Sequence, residues 1–462
     1  MTTLKKRGII LIALVALYIV IACLPAPEGL SPEGKNALAL MLCGTIALTT
    51  NALPIEMVGF LLVVLQAPLH IASLEDAIGR FADSTLFFVL GTIMISVGFN
   101  ATGLDRRIVL KLTQLTNANP KRLCMVFMVG AGLLSTVFPD LMVVLVLAPI
   151  AVQILKENDC TPGNSNLGKN LMIGIPVAAL IGGGGTPLGS VMNVLAQGMI
   201  KQFLGVEISF LTWSLIGLPI VILTLPIACK ALMMVYPIEL EELQGMDKIH
   251  ERMEKLGVMT RQEKIFIVLF AALVVGCGTT SLTGLDTSII ACGIAALMIA
   301  LGVVDWKTLD TQTSWSMNIA MFGIVALGMT IYATGASDWI AGGIAALLGG
   351  QSFLFVVIAL GLFAIIIHLL VPVNQALITI LIPIAIGLAT ALDANPIFLA
   401  LVVAFCVHIA ILLPLDIVPL VIFPYGYYKM YEMIKPGIII SILWFAIVLV
   451  VLNVIGPLVG VA

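Results

Sequence analysis

Charge is the scarcest feature of this chain. Of its 462 residues only 10% are charged, against 61% hydrophobic, and no soluble core could enclose that much apolar surface. Alternating apolar–polar runs, which a transmembrane barrel requires, are also missing. The apolar stretches are continuous, near or above the roughly 20 residues that span a bilayer. With 22 basic and 25 acidic side chains and a net charge of −3, the chain lacks the basic excess that holds nucleic acid. Eight cysteines are present but no C-x-x-C pair, so they read as small apolar packing residues rather than disulfides or metal ligands. No cofactor signature occurs. What these absences leave is an all-α polytopic membrane protein.

Lys5-Lys6-Arg7 precede the first apolar run, Gly8 to Leu24, and place that end in the cytoplasm by the positive-inside rule. A cleaved signal is the rival reading, since Val20-Ile21-Ala22-Cys23 resembles a lipoprotein cleavage box, but further spans follow. The sequence divides into an N-terminal helix (1–33), a first repeat (34–238), a polar linker helix read as cytoplasmic (239–263) and a second repeat (264–462). Spans are expected at Lys35–Thr50, Pro54–Pro68 and Ser84–Thr102, then an amphipathic interfacial stretch with Asp105, Arg106, Arg107 and Lys111. A hairpin at 121–155, a broken helix at 170–205 and a span at Phe210–Tyr236 complete the first repeat. The second repeat offers Ile265–Leu282, Ser288–Val304, Asn318–Thr334, a hairpin at 352–392, a broken helix at 396–424 and Gly437–Leu458.

Each half contains an apolar stretch broken by helix-disrupting residues beside a lone polar side chain. These are Phe138-Pro139-Asp140-Leu141 and Pro372-Val373-Asn374-Gln375. A proline follows each at the same later position, Pro149 and Pro383. Gly91 and Ala101-Thr102-Gly103 also match Gly323 and Ala333-Thr334-Gly335 at one constant offset. Two further breaks, Ile181–Asn193 and Leu413–Pro419, stand after the hairpins. Non-helical backbone at membrane depth is tolerated only where it is buried in protein or lines a cavity. The expectation is therefore two inverted repeats of five transmembrane helices plus one re-entrant hairpin each. With one extra helix in front, this makes about eleven crossings.

These residues carry a resemblance. Gly103-Leu104-Asp105-Arg106-Arg107, the Ile181–Asn193 loop and Gly426-Tyr427-Tyr428-Lys429 are similar to the divalent anion:sodium symporter family of dicarboxylate, citrate and sulfate carriers. The resemblance runs from about Pro32 to Gly460. The family pattern has Ser-Asn-Thr at each hairpin tip and Gly-Thr-Pro-Pro-Asn in each facing loop, with sodium between tip and loop. Carried over, it implies a cation site at Ser135, Pro139, Asp140 and Gly189, with Asn374 and Asp416 on the second side. It implies substrate contacts at Asp140, Leu141, Ser190, Asn193, Asn374, Gln375, Ile417 and Pro419. It also implies a homodimer and an elevator-like motion, and fits a bacterial inner-membrane protein.

The chain departs from that pattern at most side-chain positions. Asp140 stands where the family has Asn, and Asp416 where it has Gly. Val373 and Leu369 offer no hydroxyls at the second cation site. A carboxylate in the bilayer costs roughly 3 kcal/mol or more unless paired, solvated or protonated. Asp140 therefore reads either as a Na⁺ ligand with Ser135 and the Gly189 region or as a proton carrier. The plainer alternatives are a helix N-cap for Asp140 and a hydrogen-bonded turn for Asp416. His368 and His408 are candidate proton relays, although a lone histidine on an apolar helix also packs as a hydrogen-bonded core residue.

The implied activity is secondary active transport of a small organic anion, a di- or tricarboxylate, coupled to Na⁺ or H⁺ and without a cofactor. Its alternatives are cation-independent exchange and an inorganic oxyanion such as sulfate as cargo. A reading from another class, an intramembrane aspartyl protease using Asp140 and Asp416, lacks the Gly-x-Gly-Asp and Tyr-Asp motifs. No lysine or arginine lies at the expected site, so the anion must be met by backbone dipoles and neutral donors.

Overall fold

The computed structural model describes residues 3–50, 52–244, 256–347, 351–371 and 374–461. Among them the regular structure is entirely helical. In chain order the helices are α1 (Thr3–Cys23), α2 (Pro32–Thr49), α3 (Ile55–Val64), α4 (Leu74–Phe81), α5 (Ser84–Thr102), α6 (Leu104–Gln114) and α7 (Pro120–Ser135). Next come α8 (Asp140–Glu157), α9 (Asn166–Gly183), α10 (Val191–Leu204), α11 (Phe210–Val235), α12 (Arg261–Gly278), α13 (Thr287–Ala300) and α14 (Trp306–Gln312). The last are α15 (Trp315–Ala333), α16 (Ala336–Leu347), α17 (Phe353–Ile366), α18 (Asn374–Ala391), α19 (Pro396–His408) and α20 (Ile434–Ile455).

Polar residues set the helix starts. Ser31, Asn119, Ser165, Ser209 and Ser352 each accept a hydrogen bond from a backbone N–H in the first turn they precede. Thr260 and Glu263 form a reciprocal capping box on α12. Pro32 and Pro120 occupy first-turn positions, where no N–H is needed. Among the described residues five segments are long and apolar enough to cross a bilayer: Leu74–Thr102, Phe210–Val235, Trp315–Ala333, Asn374–Ala391 and Met430–Ile455. α3, expected across 54–68, is a 10-residue helix that gives way to turns before Ala67-Pro68, too short to span alone. Of the expected linker helix, residues 245–255 lie outside the described residues, and 239–244 are irregular.

The chain forms two compact units, each assembled from segments of both halves. The first holds 1–87, 195–207 and 314–407. In it α15 crosses α3 where Gly323 presses on the Gly59 backbone, so neither position has room for a side chain. Arg80 donates to Thr330 Oγ1 at 2.7 Å, and Thr330 donates to the buried Gln66 at 2.7 Å. The second unit holds 88–194, 208–313 and 408–461 among the described residues. There α9 packs on α7 through Gly182 and the Gly132 backbone. Phe138 stacks between Phe99, 4.0 Å away, and Phe270, 4.8 Å away. At the rim of this unit, Arg107 pairs with Glu263 at 2.9 Å and also donates to the carbonyl of Gly257. Lys169 pairs with Glu432 at 2.6 Å.

Candidate functional site

The turn between α7 and α8 follows from its own residues. Phe138 precedes a proline and is pushed out of helical geometry, and Pro139 takes φ −52°, ψ 133°. The Pro139 carbonyl then accepts the N–H groups of Met142 and Val143 as the first acceptor of α8. Asp140 opens the helix, and its Oδ1 accepts the Leu141 N–H at 2.8 Å. A carboxylate here meets the positive end of the helix. The N-cap-like reading of Asp140 and its availability to a cation are compatible, because the second oxygen points elsewhere. Asp140 Oδ2 faces Gly183, 3.4 Å from where a side chain on that glycine would begin.

The broken helix α9–α10 is closed by side chains that act on its own backbone. A helix end inside the protein leaves carbonyls without partners. Asn193, in the first turn of α10, donates both amide hydrogens back across the break, to the carbonyls of Gly183 and Thr186 at 2.7 Å each. Trp213 donates to Gly184 O at 3.1 Å. Thr186 donates to the carbonyl of Thr136, tying the loop to the hairpin turn. Asn193 is therefore the staple of the loop, and only its carbonyl oxygen remains to face a ligand. Ser190 is buried beside it. Thr186 was not singled out in the sequence. Its signal was a hydroxyl between a glycine run and Pro187, inside a helix that must break.

The glycine run serves mostly close packing. Gly182 lies on Gly132, Gly184 against the Trp444 ring, and Gly185 between Thr136 and Leu218. Gly189 differs. Both the Ser135 carbonyl and the Gly183 carbonyl press on it, the latter 2.7 Å from a hypothetical Cβ. Ser135 is fully buried, and among the described residues its hydroxyl has no hydrogen-bond partner. A cluster of oxygen atoms thus collects around Ser135, Gly183, Gly189 and Asp140. No lysine or arginine pairs with Asp140 among the described residues.

Two more of the expected residues belong to this neighbourhood. His408 is buried, 1% exposed. Its Nε2 lies 2.6 Å from the Leu180 carbonyl, which can only accept, so Nε2 carries the proton. Its ring packs against Gly183, at the same point that Asp140 Oδ2 faces. Asp416 is close enough to Asp140 for their charges to repel. Its Oδ1 accepts the Val418 N–H at 2.8 Å and caps a single turn, Ile417–Leu420, which packs on α8 and α9. Ile417 is exposed and Pro419 buried, the Pro419 carbonyl taking a hydrogen bond from Tyr428. The second break was expected to mirror the first. Instead, only one helical turn follows it, because Pro414, Pro419, Pro424 and Gly426 interrupt the chain in succession.

The other hairpin turn lies in the first unit. α17 runs into a tight turn at Ile367–Leu369 before α18 begins at Asn374; Pro372 and Val373 lie outside the described residues. His368 is 5% exposed, and among the described residues neither ring nitrogen has a hydrogen-bond partner. Its ring lies against the side chain of Asn374 and the backbone of Val407. Asn374 is buried and Gln375 half-buried, with the Gln375 carbonyl held by Thr379 at 2.6 Å.

The family described as the sodium:sulfate symporter transmembrane region matches residues 5–462. A sodium-dependent dicarboxylate transporter of Staphylococcus saprophyticus is 26% identical over 96% of this chain and 91% of its own length. Its counterpart in Staphylococcus aureus (strain bovine RF122 / ET3-1) is 27% identical over 94% and 88%. Among solved structures, the YdaH transporter of Alcanivorax borkumensis shares the fold at 14% identity, with a TM-score of 0.55 and 98% of each chain covered.

Proposed function

The chain belongs to the sodium:sulfate symporter family of membrane transporters, and we propose that this member takes up a small dicarboxylate together with Na⁺. The relatives named above, which this chain matches over about nine-tenths of their length, are sodium-dependent dicarboxylate transporters. One observation carries the reading. A buried serine hydroxyl without a partner, two converging backbone carbonyls and a carboxylate gather here, and among the described residues no lysine or arginine pairs with the carboxylate. Hard cations are bound by oxygen sets of this kind. Ser135, Asp140 and the backbone at Gly183 and Gly189 hold the ion, and Pro139 fixes the turn. Asp140 replaces the neutral residue of the family pattern and strengthens this first cation site.

In the second unit the anion is met by the neutral donor Ser190, with Leu141, Ile417 and Pro419 as apolar walls; Asn374 and Gln375 are the candidate donors that the first unit carries. Asn193 acts through the loop it staples. Two inverted repeats underlie the fold, and access alternates by an elevator motion within a homodimer. The matching order of hairpin and broken helix in both halves supports this reading.

A second reading, H⁺ in place of Na⁺, rests on Asp140 and His408 meeting at Gly183, with Asp416 within electrostatic reach of Asp140. Uptake into liposomes separates the two. Succinate, malate, citrate, 2-oxoglutarate, tartrate and sulfate are offered with and without Na⁺ and with and without a pH gradient. The proposal expects a four-carbon dicarboxylate to accumulate only with Na⁺. Accumulation driven by the pH gradient alone would replace it with the second reading.

A further inference from the structure

The first unit contains a groove of about 330 Å³ between α1 and the pair α2–α3. Leu11, Val15 and Ile19 form one wall, and Ala47, Val58 and Leu65 belong to the other. It follows α1 from Leu11 to Ile19, a length of about 12 Å at helical rise. Two polar side chains reach it. The Cys43 thiol is engaged with the Leu14 carbonyl, and among the described residues the buried Tyr18 hydroxyl has no hydrogen-bond partner. Water held in a cavity needs two to four polar partners, and an apolar cavity of about 150 Å³ already takes up a small hydrocarbon in preference to water. This groove is larger and offers at most one such partner.

We propose that the groove holds one acyl chain of an anionic phospholipid. Among the described residues α1 packs substantially only on α2, and its other face is open, with Ile12 71% and Val20 59% exposed. In a membrane transporter that face meets lipid. Charge decides which end receives the headgroup. Past the C-terminal end of α1 the nearby cation is Lys35, and its ammonium is already bound to the carbonyls of Ala22 and Leu24. At the other end Lys5, Lys6 and Arg7 lie in the first turns of α1 with no acidic residue among them, and Arg7 is exposed. Basic residues flanking a membrane helix attract anionic headgroups. A lipid anchored there runs its chain from Leu11 towards Ile19 and fills the space that α1 leaves.

The test uses the full chain purified in mild detergent and offered phosphatidylglycerol or phosphatidylcholine of equal chain length, with bound lipid counted by native mass spectrometry. The expected result is about one phosphatidylglycerol per chain, preferred about tenfold over phosphatidylcholine. Val15→Trp, which fills the groove from α1, should lose it. Should that variant not fold, Arg7→Gln with Lys5→Gln and Lys6→Gln should lower the preference to near unity. Three results overturn the proposal. One is wild-type chain that retains no lipid. Another is a phosphatidylglycerol preference that survives the charge changes. The third is Val15→Cys chains that cross-link to each other in lipid-replete membranes, which would put a second copy in the groove.

Discussion

Replacing Gly189 by alanine adds one methyl group at the point where the hairpin turn and the loop meet. Gly189 is not among the glycines with positive φ, so alanine can adopt its backbone conformation and the effect is one of space alone. The new Cβ would overlap the Ser135 carbonyl and stand 2.7 Å from the Gly183 carbonyl and 3.0 Å from Gly183 Cα. All three are backbone atoms, so no flexible side chain can yield. Overpacking of this kind costs about 1–3 kcal/mol, released by pushing turn and loop apart. If those oxygens hold Na⁺, the same displacement weakens the ion by about 5- to 150-fold, at 1.4 kcal/mol per factor of ten. The assay is the Na⁺ concentration giving half-maximal uptake of labelled succinate into liposomes. Gly79→Ala serves as control, since nothing lies within 4 Å of its added methyl. A Gly189→Ala protein that folds and shows wild-type Na⁺ dependence would refute the placement of the ion.

Asp140→Asn restores the neutral side chain of the family pattern. It is expected to change the Na⁺ requirement more than the apparent affinity for succinate, read from paired titrations of ion and substrate. Asn193→Leu removes both hydrogen bonds that close the broken helix and leaves the Gly183 and Thr186 carbonyls buried without them. The expected cost is about 2–4 kcal/mol, seen as a lowered melting temperature together with lost uptake; an unchanged melting curve would speak against the staple. Glu263 gives a pH-dependent test. Burial pushes its carboxyl up, but hydrogen bonds from Arg107 and Thr260, with the guanidinium charge, outweigh this and hold it below the ordinary range. A depressed carboxyl contributes stability above its unfolded value, near 4.3, and loses it as pH falls through the lower folded value. The melting temperature of Glu263→Gln should therefore lie below wild type at pH 7, by about 1–2 kcal/mol of stability, and the gap should close below about pH 4. A gap of constant size would remove the ionic contribution. Gly182→Ala should prevent α9 from seating on α7 and abolish expression of folded protein, measured by size-exclusion profile.

The sequence made the framework readable wherever a single local rule acts. α5 runs over the expected Ser84–Thr102, bounded by Asp83 before it and Gly103 after it. The hairpin turn at Pro139 and the break after Gly183 follow from residues that cannot continue a helix. What escaped the sequence depends on neighbours distant in the chain. The run Gly182–Gly185 suggested a backbone open to a ligand, yet Gly132, Trp444 and Leu218 fill most of that space, and nothing local to the run announces them. Asn193 suggested a donor to the anion, and the carbonyls freed by the break itself claim its hydrogens. The second break could not be scaled from the first, because the prolines after Asp416 limit the helix there to one turn. Asp140, by contrast, was visible as a charge in an apolar stretch, and the oxygen-rich surroundings of Ser135 and Gly189 give that charge a partner to seek.

The most direct test of the account is concentrative uptake of labelled succinate by the purified chain in liposomes under an inward Na⁺ gradient. The account predicts accumulation above the external concentration, collapse when Na⁺ is equalised, and loss of the Na⁺ requirement or of uptake in Ser135→Ala. Equal uptake with and without the Na⁺ gradient, unaltered by Ser135→Ala, would contradict it.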